Sequence, residues 1–294
     1  MKHRLNTDKK NIRASVLFLS SLFLCSCATE NVIHSQLPAD VSFNQDAGHG
    51  NLLIVTLRLE DGGELPFVVD TGTSGTLFDK SLEPKLGKPI GTEMIQSWGK
   101  HEKKSIYAMP KLYSGNTLLM TGSNAITVDF KQLSRQAGRP ILGILGLDVL
   151  EHYCIQLDFV AGKMRFLNDE QTDKKNWGTS FQIVALNSND ARPSVSQNLF
   201  GALGLHSLID SGYNADGWLM PKFYEQWTNH AIPLANGEVH SPDGMFGGEI
   251  YPDIFLRVQS VESDGIGLNF LARHLVTLDF PKRMLYLKRT SSAR

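Results

Sequence analysis

The chain has 294 residues, 41% of them hydrophobic and 20% charged, with 29 Lys and Arg against 30 Asp and Glu. That length carries one large or two modest domains with a sizeable core, and a formal net charge of −1 excludes a generally basic nucleic-acid binder and an acidic disordered tail. With 26 Gly and 12 Pro the chain is neither collagen-like nor low-complexity, and its three Cys are too few for a disulfide framework.

Lys2, Arg4, Lys9, Lys10 and Arg13 precede an apolar run from Ala14 to Leu24, the pattern of a secretory signal. The run is shorter than the roughly 20 residues that a membrane-spanning helix needs. It ends in Leu24, Cys25, Ser26 and Cys27, which resembles the lipobox of bacterial lipoproteins, where a Leu and two small residues precede the Cys that is lipidated. The resemblance implies a lipoprotein signal peptide over residues 1–26, lipidation of Cys27, and a polar tether over 27–43. It also implies a lipid-anchored protein of the bacterial cell envelope, facing the periplasm. Ordinary cleavage after Ala28 is the alternative, with Ser26 and Ala28 as the small residues. Removal of 1–26 takes away five basic residues and Asp8, leaving 24 basic and 29 acidic residues, a net charge of −5. Cys154 lies in an apolar stretch and reads as a small buried hydrophobe. No later segment is apolar enough to cross a membrane.

Beyond the tether, short apolar runs bounded by Gly, Asp and Asn predict strands and turns rather than helices. Leu52–Leu59 and Leu65–Val69 flank an Asp61-Gly62 turn and read as a hairpin. A short helix is expected near Lys80–Leu86, with Asp79 as its N-cap. The polar stretch around 169–177 reads as a linker. Ser194–Leu199 and Leu203–Ile209 form a second expected hairpin, and Pro221–Asn229 a second helix, with Pro221 in its first turn.

Self-comparison shows that the body is a repeat. Gly146 to Phe159 and Gly267 to Phe280 share Gly, Leu, Leu, Leu, Asp and Phe at identical spacing. Upstream, Asp70, Thr71, Gly72 and Thr73 follow Phe67, Val68 and Val69, while Asp210, Ser211, Gly212 and Tyr213 follow Ser207, Leu208 and Ile209. Two similar β lobes are therefore expected, 44–168 and 178–294. Asp158 and Asp279 recur before Phe at strand ends, where a turn-forming role is expected. Asp148 aligns with Asn269, which argues against a catalytic carboxylate there.

An Asp-Thr/Ser-Gly turn after apolar residues, with a hydrophobic-hydrophobic-Gly segment downstream, resembles the aspartic proteases of the pepsin and retropepsin-like superfamily. Ile144, Leu145 and Gly146 supply that segment in the first half; Gly265, Ile266 and Gly267 stand at its place in the second. The resemblance covers most of the chain after the tether. It implies an all-β, two-lobed pepsin/retropepsin-like acid protease fold with an intramolecular pseudo-two-fold and short helices. It implies an aspartic endopeptidase with Asp70 and Asp210 as catalytic pair, acting on a peptide or protein substrate. It further implies that the Thr71 and Ser211 hydroxyls reach the opposite lobe, that Gly72 and Gly212 permit close approach, and that Thr73 hydrogen-bonds Asp70. Tyr213 departs from the family's Ser or Thr and removes one such bond from Asp210. A flap over the cleft is expected at 92–108, where Trp98 and Tyr107 are candidates to line a substrate channel.

The physical case stands beside the resemblance. Two carboxyls carried into one interior cannot both ionise cheaply, so they share a proton, an effect for which aspartic proteases are themselves the standard example. The ionised member can take a proton from water while the protonated member hydrogen-bonds the scissile carbonyl. That chemistry requires no cofactor and no metal, and neither zinc-ligand spacing nor a phosphate loop is present. Pairing of two unequal lobes within one chain predicts a monomer, and pairing with a second chain is the alternative. A module that kept the fold but only binds peptides or protein partners is the rival reading, motivated by Tyr213.

Overall fold

A computed structural model describes residues 37–97, 100–168, 174–199, 203–228, 237–261 and 263–290. The signal segment, Cys27, the tether up to residue 36, Trp98 and residues 169–173 of the expected linker lie outside the described residues. No described helix is long and apolar enough to cross a membrane. The described residues are predominantly β and form three sheets.

The first half runs β1 (Val41–Ser42), β2 (Ile54–Leu59), β3 (Glu64–Val69), β4 (Leu77–Asp79), α1 (Glu83–Leu86), β5 (Gly91–Ser97), β6 (Lys100–Ala108), β7 (Leu112–Ser114), β8 (Thr117–Leu118), β9 (Asn124–Val128), α2 (Lys131–Ala137), β10 (Gly143–Leu145), α3 (Leu147–Leu150), β11 (Cys154–Asp158) and β12 (Lys163–Leu167). The second half runs β13 (Thr179–Gln182), β14 (Val184–Asn187), β15 (Asp190–Gln197), β16 (Leu203–Asp210), β17 (Gly217–Leu219), α4 (Pro221–Thr228), β18 (Glu238–Phe246), β19 (Glu249–Val258), β20 (Asp264–Gly267), α5 (Leu268–Leu271), β21 (His274–Asp279) and β22 (Met284–Arg289).

The expected first hairpin is present as β2 and β3, paired from Ile54↔Val68 to Arg58↔Glu64. Its turn places Gly62 at φ +83°, in the left-handed region that Gly enters without strain, and Asp61 Oδ1 accepts the Gly63 amide at 2.8 Å. Leu57, Phe67 and Val69 face the principal core, and Val68 faces a second cluster with Phe130, Ile141 and Ile144. An apolar run such as Phe67–Val69 is what a strand covered on both faces requires. β16 repeats the device: Ile209 enters the principal core, and Leu208 packs with Leu186 and Trp218 on the other side.

The two halves build matching sheets. In the first, strand order β2-β3-β10-β4-β9-β6 is embedded in nine strands; in the second, order β15-β16-β20-β17-β19-β18 is embedded in seven. In both, the strand ending at the acidic turn runs parallel to the strand from the Gly-rich segment, β3 beside β10 and β16 beside β20. The third sheet is shared. Its order is β1-β12-β11-β21-β22-β13, and β11 pairs antiparallel with β21 through Ile155↔Leu278 and Leu157↔Val276. Gln156 Nε2 donates to Thr277 Oγ1 at 3.0 Å between these strands. The principal core draws on both halves, and each fully buried Phe or Leu in it contributes roughly 2–3 kcal/mol.

The helix expected near Lys80 begins as a 3-10 turn, Lys80–Leu82, continued by α1, with Asp79 Oδ1 accepting from Ser81 N at 2.9 Å. α4 starts at Pro221. α2 was not expected; it is short, lies between Asp129, whose carboxylate accepts the Lys131 amide, and Gly138 at φ +65°. Trp177, at the end of the expected linker, is 3% exposed and packs edge-on against Tyr286. Asp158 Oδ1 accepts from Ala161 N and Asp279 Oδ1 from Lys282 N, each closing the turn after its strand.

Candidate active site

Asp70 directly follows β3, and Asp210 is the last residue of β16. Each carboxylate is bonded by the amide two residues on: Gly72 N to Asp70 Oδ1 at 2.8 Å, and Gly212 N to Asp210 Oδ1 at 2.9 Å. The duplicated Gly-Leu blocks hold both turns from behind, since Leu147 N donates to Thr73 O and Leu268 N to Tyr213 O. Sequence repetition thus becomes a repeated backbone cradle.

The two turns face each other and are clasped. Thr71 Oγ1 donates to Ile209 O at 2.7 Å and accepts from Ser211 N at 3.0 Å. Ser211 Oγ donates to Val69 O at 2.8 Å and accepts from Thr71 N at 3.1 Å. Both residues are buried, so each of these four bonds satisfies a group that water cannot reach. Gly72 and Gly212 allow the approach: a Cβ on Gly72 would stand 2.5 Å from the Asp210 carboxyl carbon, and one on Gly212 would crowd the Asp70 carboxyl in the same way.

The carboxyls of Asp70 and Asp210 lie within hydrogen-bonding reach of each other. They sit half-buried at the floor of a cleft of about 680 Å³. Leu77, Ile95, Ile126 and Ile144 form an apolar wall, and Glu93, Asp148, Arg192 and Tyr213 add polar groups. Burial raises Asp70 above the ordinary carboxylate value, opposed by the Thr73 hydroxyl, which donates to Asp70 Oδ2 at 2.7 Å, and by the Gly72 amide. Asp210 is raised well above it, first by burial and then by the negative charge of Asp70. The site can therefore hold one proton between two acids, and the Thr73 hydroxyl favours the ionised form of Asp70.

Tyr213 accounts for part of that asymmetry. Its ring packs on Trp218 with centroids 4.5 Å apart, and the Arg257 guanidinium stands over it at 5.7 Å. The phenol consequently gives Asp210 nothing equivalent to the Thr73 bond, and the ring is engaged against Trp218 rather than wedged between the acids.

The hairpin β5–β6 stands where the flap was expected, and Glu93 and Ile95 from it line the cleft. Tyr107 is a correction: it is 4% exposed in the principal core and does not belong to the cleft lining. Cross-strand partners share a face, and Glu93 pairs with Lys104 and Gly91 with Ile106. Tyr107, one residue on from Ile106, therefore takes the opposite face.

Two groups in the cleft do not stand out in the sequence as site residues. Asp148 is half-buried and accepts from Thr76 Oγ1 at 2.7 Å; burial raises it too. Arg192 on β15 is bound through Nε and Nη2 by Asp190, and its Nη1 donates to Gly72 O at 3.1 Å. The one sequence signal for Arg192 is its register: counted from the two acidic turns, it matches Leu52, so a charge stands where the first half has an apolar residue. Among the described residues no three His, Cys, Asp or Glu side chains group as a metal site. No protein-family model matches the sequence, and no curated protein matches it. The chemistry of the cleft is therefore read from its own geometry.

Proposed function

We propose that this chain is an aspartic-type endopeptidase with a two-lobed pepsin/retropepsin-like fold, in which Asp70 and Asp210 activate a water against a peptide bond. The observation that carries the reading is the reciprocal clasp: two duplicated acidic turns, each locked to the other's strand, hold two carboxyls in hydrogen-bonding reach. The Thr73 hydrogen bond, which Asp210 lacks, favours Asp70 as the ionised member. The Asp70 carboxylate takes a proton from water, and the resulting hydroxide adds to the carbonyl carbon while Asp210 gives its proton to the carbonyl oxygen. The tetrahedral adduct then collapses: Asp70 gives its proton to the nitrogen, the C–N bond breaks, one diol hydroxyl returns its proton to Asp210 as the carbonyl re-forms, and an acid and an amine are released with the pair singly protonated again. An extended peptide in the cleft would place apolar side chains on the wall of Leu77, Ile126 and Ile144.

The test is digestion of a peptide library by the mature protein across pH, with a statine inhibitor as control. Asp70→Asn and Asp210→Asn are each expected to lower kcat/KM by roughly 10³-fold or more while binding of the inhibitor scaffold weakens less. Retained hydrolysis by both variants rejects the reading. The rival, a peptide-binding module without catalysis, is favoured by Tyr213 alone; it predicts that the folded wild type captures peptides and releases them intact. The N-terminal pattern further supports a lipid-anchored, periplasm-facing envelope protein, tested by loss of fatty-acid labelling in Cys27→Ser.

A further inference from the structure

Arg192 is the only basic side chain lining the cleft among the described residues. It reaches there from the second half but touches the first. Asp190 holds Nε at 2.9 Å, which fixes the plane of the guanidinium, and Nη1 is left to donate to the carbonyl of Gly72, the residue whose own amide binds Asp70 Oδ1. The side chain is 31% exposed, so it is neither a buried structural ion nor a solvated surface charge. The first half offers Leu52, 8% exposed, at the matching position. The pseudo-symmetry of the site is thus broken by one cation.

We propose that Arg192 is a positioning residue of the acid pair: it clamps the Asp70 turn through the Gly72 carbonyl and places a fixed positive charge beside both carboxyls. For its consequence in catalysis this rests on the peptidase reading; for the titration of the pair it does not. The charged groups acting on the guanidinium are Asp190 on its own strand and Asp70 and Asp210 from the two turns, and Glu93 and Asp148 also line the cleft. A cation favours every ionised state of the pair over the more protonated one. Both proton losses are therefore held at lower pH than burial alone would allow, and the singly protonated pair occupies a correspondingly lower pH window.

Two variants separate charge from clamp. R192Q keeps an amide donor for the Gly72 carbonyl and loses the charge; R192K keeps the charge and loses the fork. The readout is carboxyl ¹³C NMR titration of the mature protein, with signals assigned by D70N and D210N, alongside the pH profile of kcat/KM. Both midpoints of the pair are expected to rise by about one pH unit in R192Q, both limbs of the activity profile to move with them, and R192K to stay near wild type. Unmoved midpoints in folded R192Q, or equal shifts in R192Q and R192K, overturn the proposal. Should R192Q fail to fold, D190N decides: removing that anion is expected to lower both midpoints, and no change overturns the proposal. A shift of the carboxyl titration in a protein that hydrolyses no peptide would retain Arg192's role and discard the peptidase; hydrolysis with an immovable titration would do the reverse.

Discussion

Thr73 and Tyr213 occupy the same place in two copies of one turn, yet only the Thr reaches its carboxylate. That hydroxyl favours the ionised form of Asp70, and no counterpart does so for Asp210. The same residues set how stability depends on pH. The unfolded chain releases the Asp210 proton near 3.8, whereas the folded chain holds it well above that value, so the pair's contribution to stability declines as pH rises past 3.8. His274 acts in the opposite sense. It is 1% exposed, accepts from Tyr251 at Nε2, donates from Nδ1 to Phe270 O, and is pushed down from 6.5 to about 4 by burial. Below 6.5 the unfolded chain takes up a proton that the folded one refuses, and roughly 3 kcal/mol is lost between pH 6.5 and 4. Urea unfolding of wild type and D210N from pH 4 to 8 should show this: the variant is more stable at pH 7 and rises more steeply from pH 4. Equal curves would mean that Asp210 is not held protonated by its surroundings.

At the scale of elements, the acidic turns depend on the strands behind them and on each other. β3 and β16 are central strands with both faces covered, which is why three apolar residues precede Asp70 and two precede Asp210. The turns themselves bury four backbone groups that only the opposite turn can satisfy. Thr71→Val keeps the shape and removes the hydroxyl, leaving Ile209 O and Ser211 N without partners. We expect a cost of about 2–3 kcal/mol in urea unfolding, with Thr71→Ser restoring most of it. A neutral Thr71→Val would show that the clasp is incidental to the fold.

At the scale of the whole molecule, the two halves are not separable bodies. Strands β11 and β21 make one sheet out of both, and the principal core takes residues from Phe43 to Leu287. Opening the cleft by unfolding one half would expose that core and break the shared sheet. The protein is therefore expected to unfold in one calorimetric transition, with calorimetric and van't Hoff enthalpies equal. Two resolved transitions would indicate that the shared sheet is too weak to couple the halves.

The repeat was legible in the chain because its physical requirements are local. An apolar run must precede an acid that a covered strand carries inward; a Gly must follow where two backbones approach; a Gly-Leu block must return downstream to hold the turn. The first two demands sit within a few residues of each acid, and the Gly-Leu block, though distant, carries its own repeated pattern, so the strands, the hairpin turn at Gly62 and the two acids could be read in order. Tyr107, Tyr213 and Arg192 could not. Which face of β6 meets the core depends on its register with β5, and where the Tyr213 ring goes depends on Trp218 and Arg257. Arg192 reaches Gly72 only because the fold brings a strand of the second half across to a turn of the first, 120 residues earlier. Side-chain identity and short-range pattern determine which residues form the acidic turns; only packing between distant segments decides which other groups those acids meet.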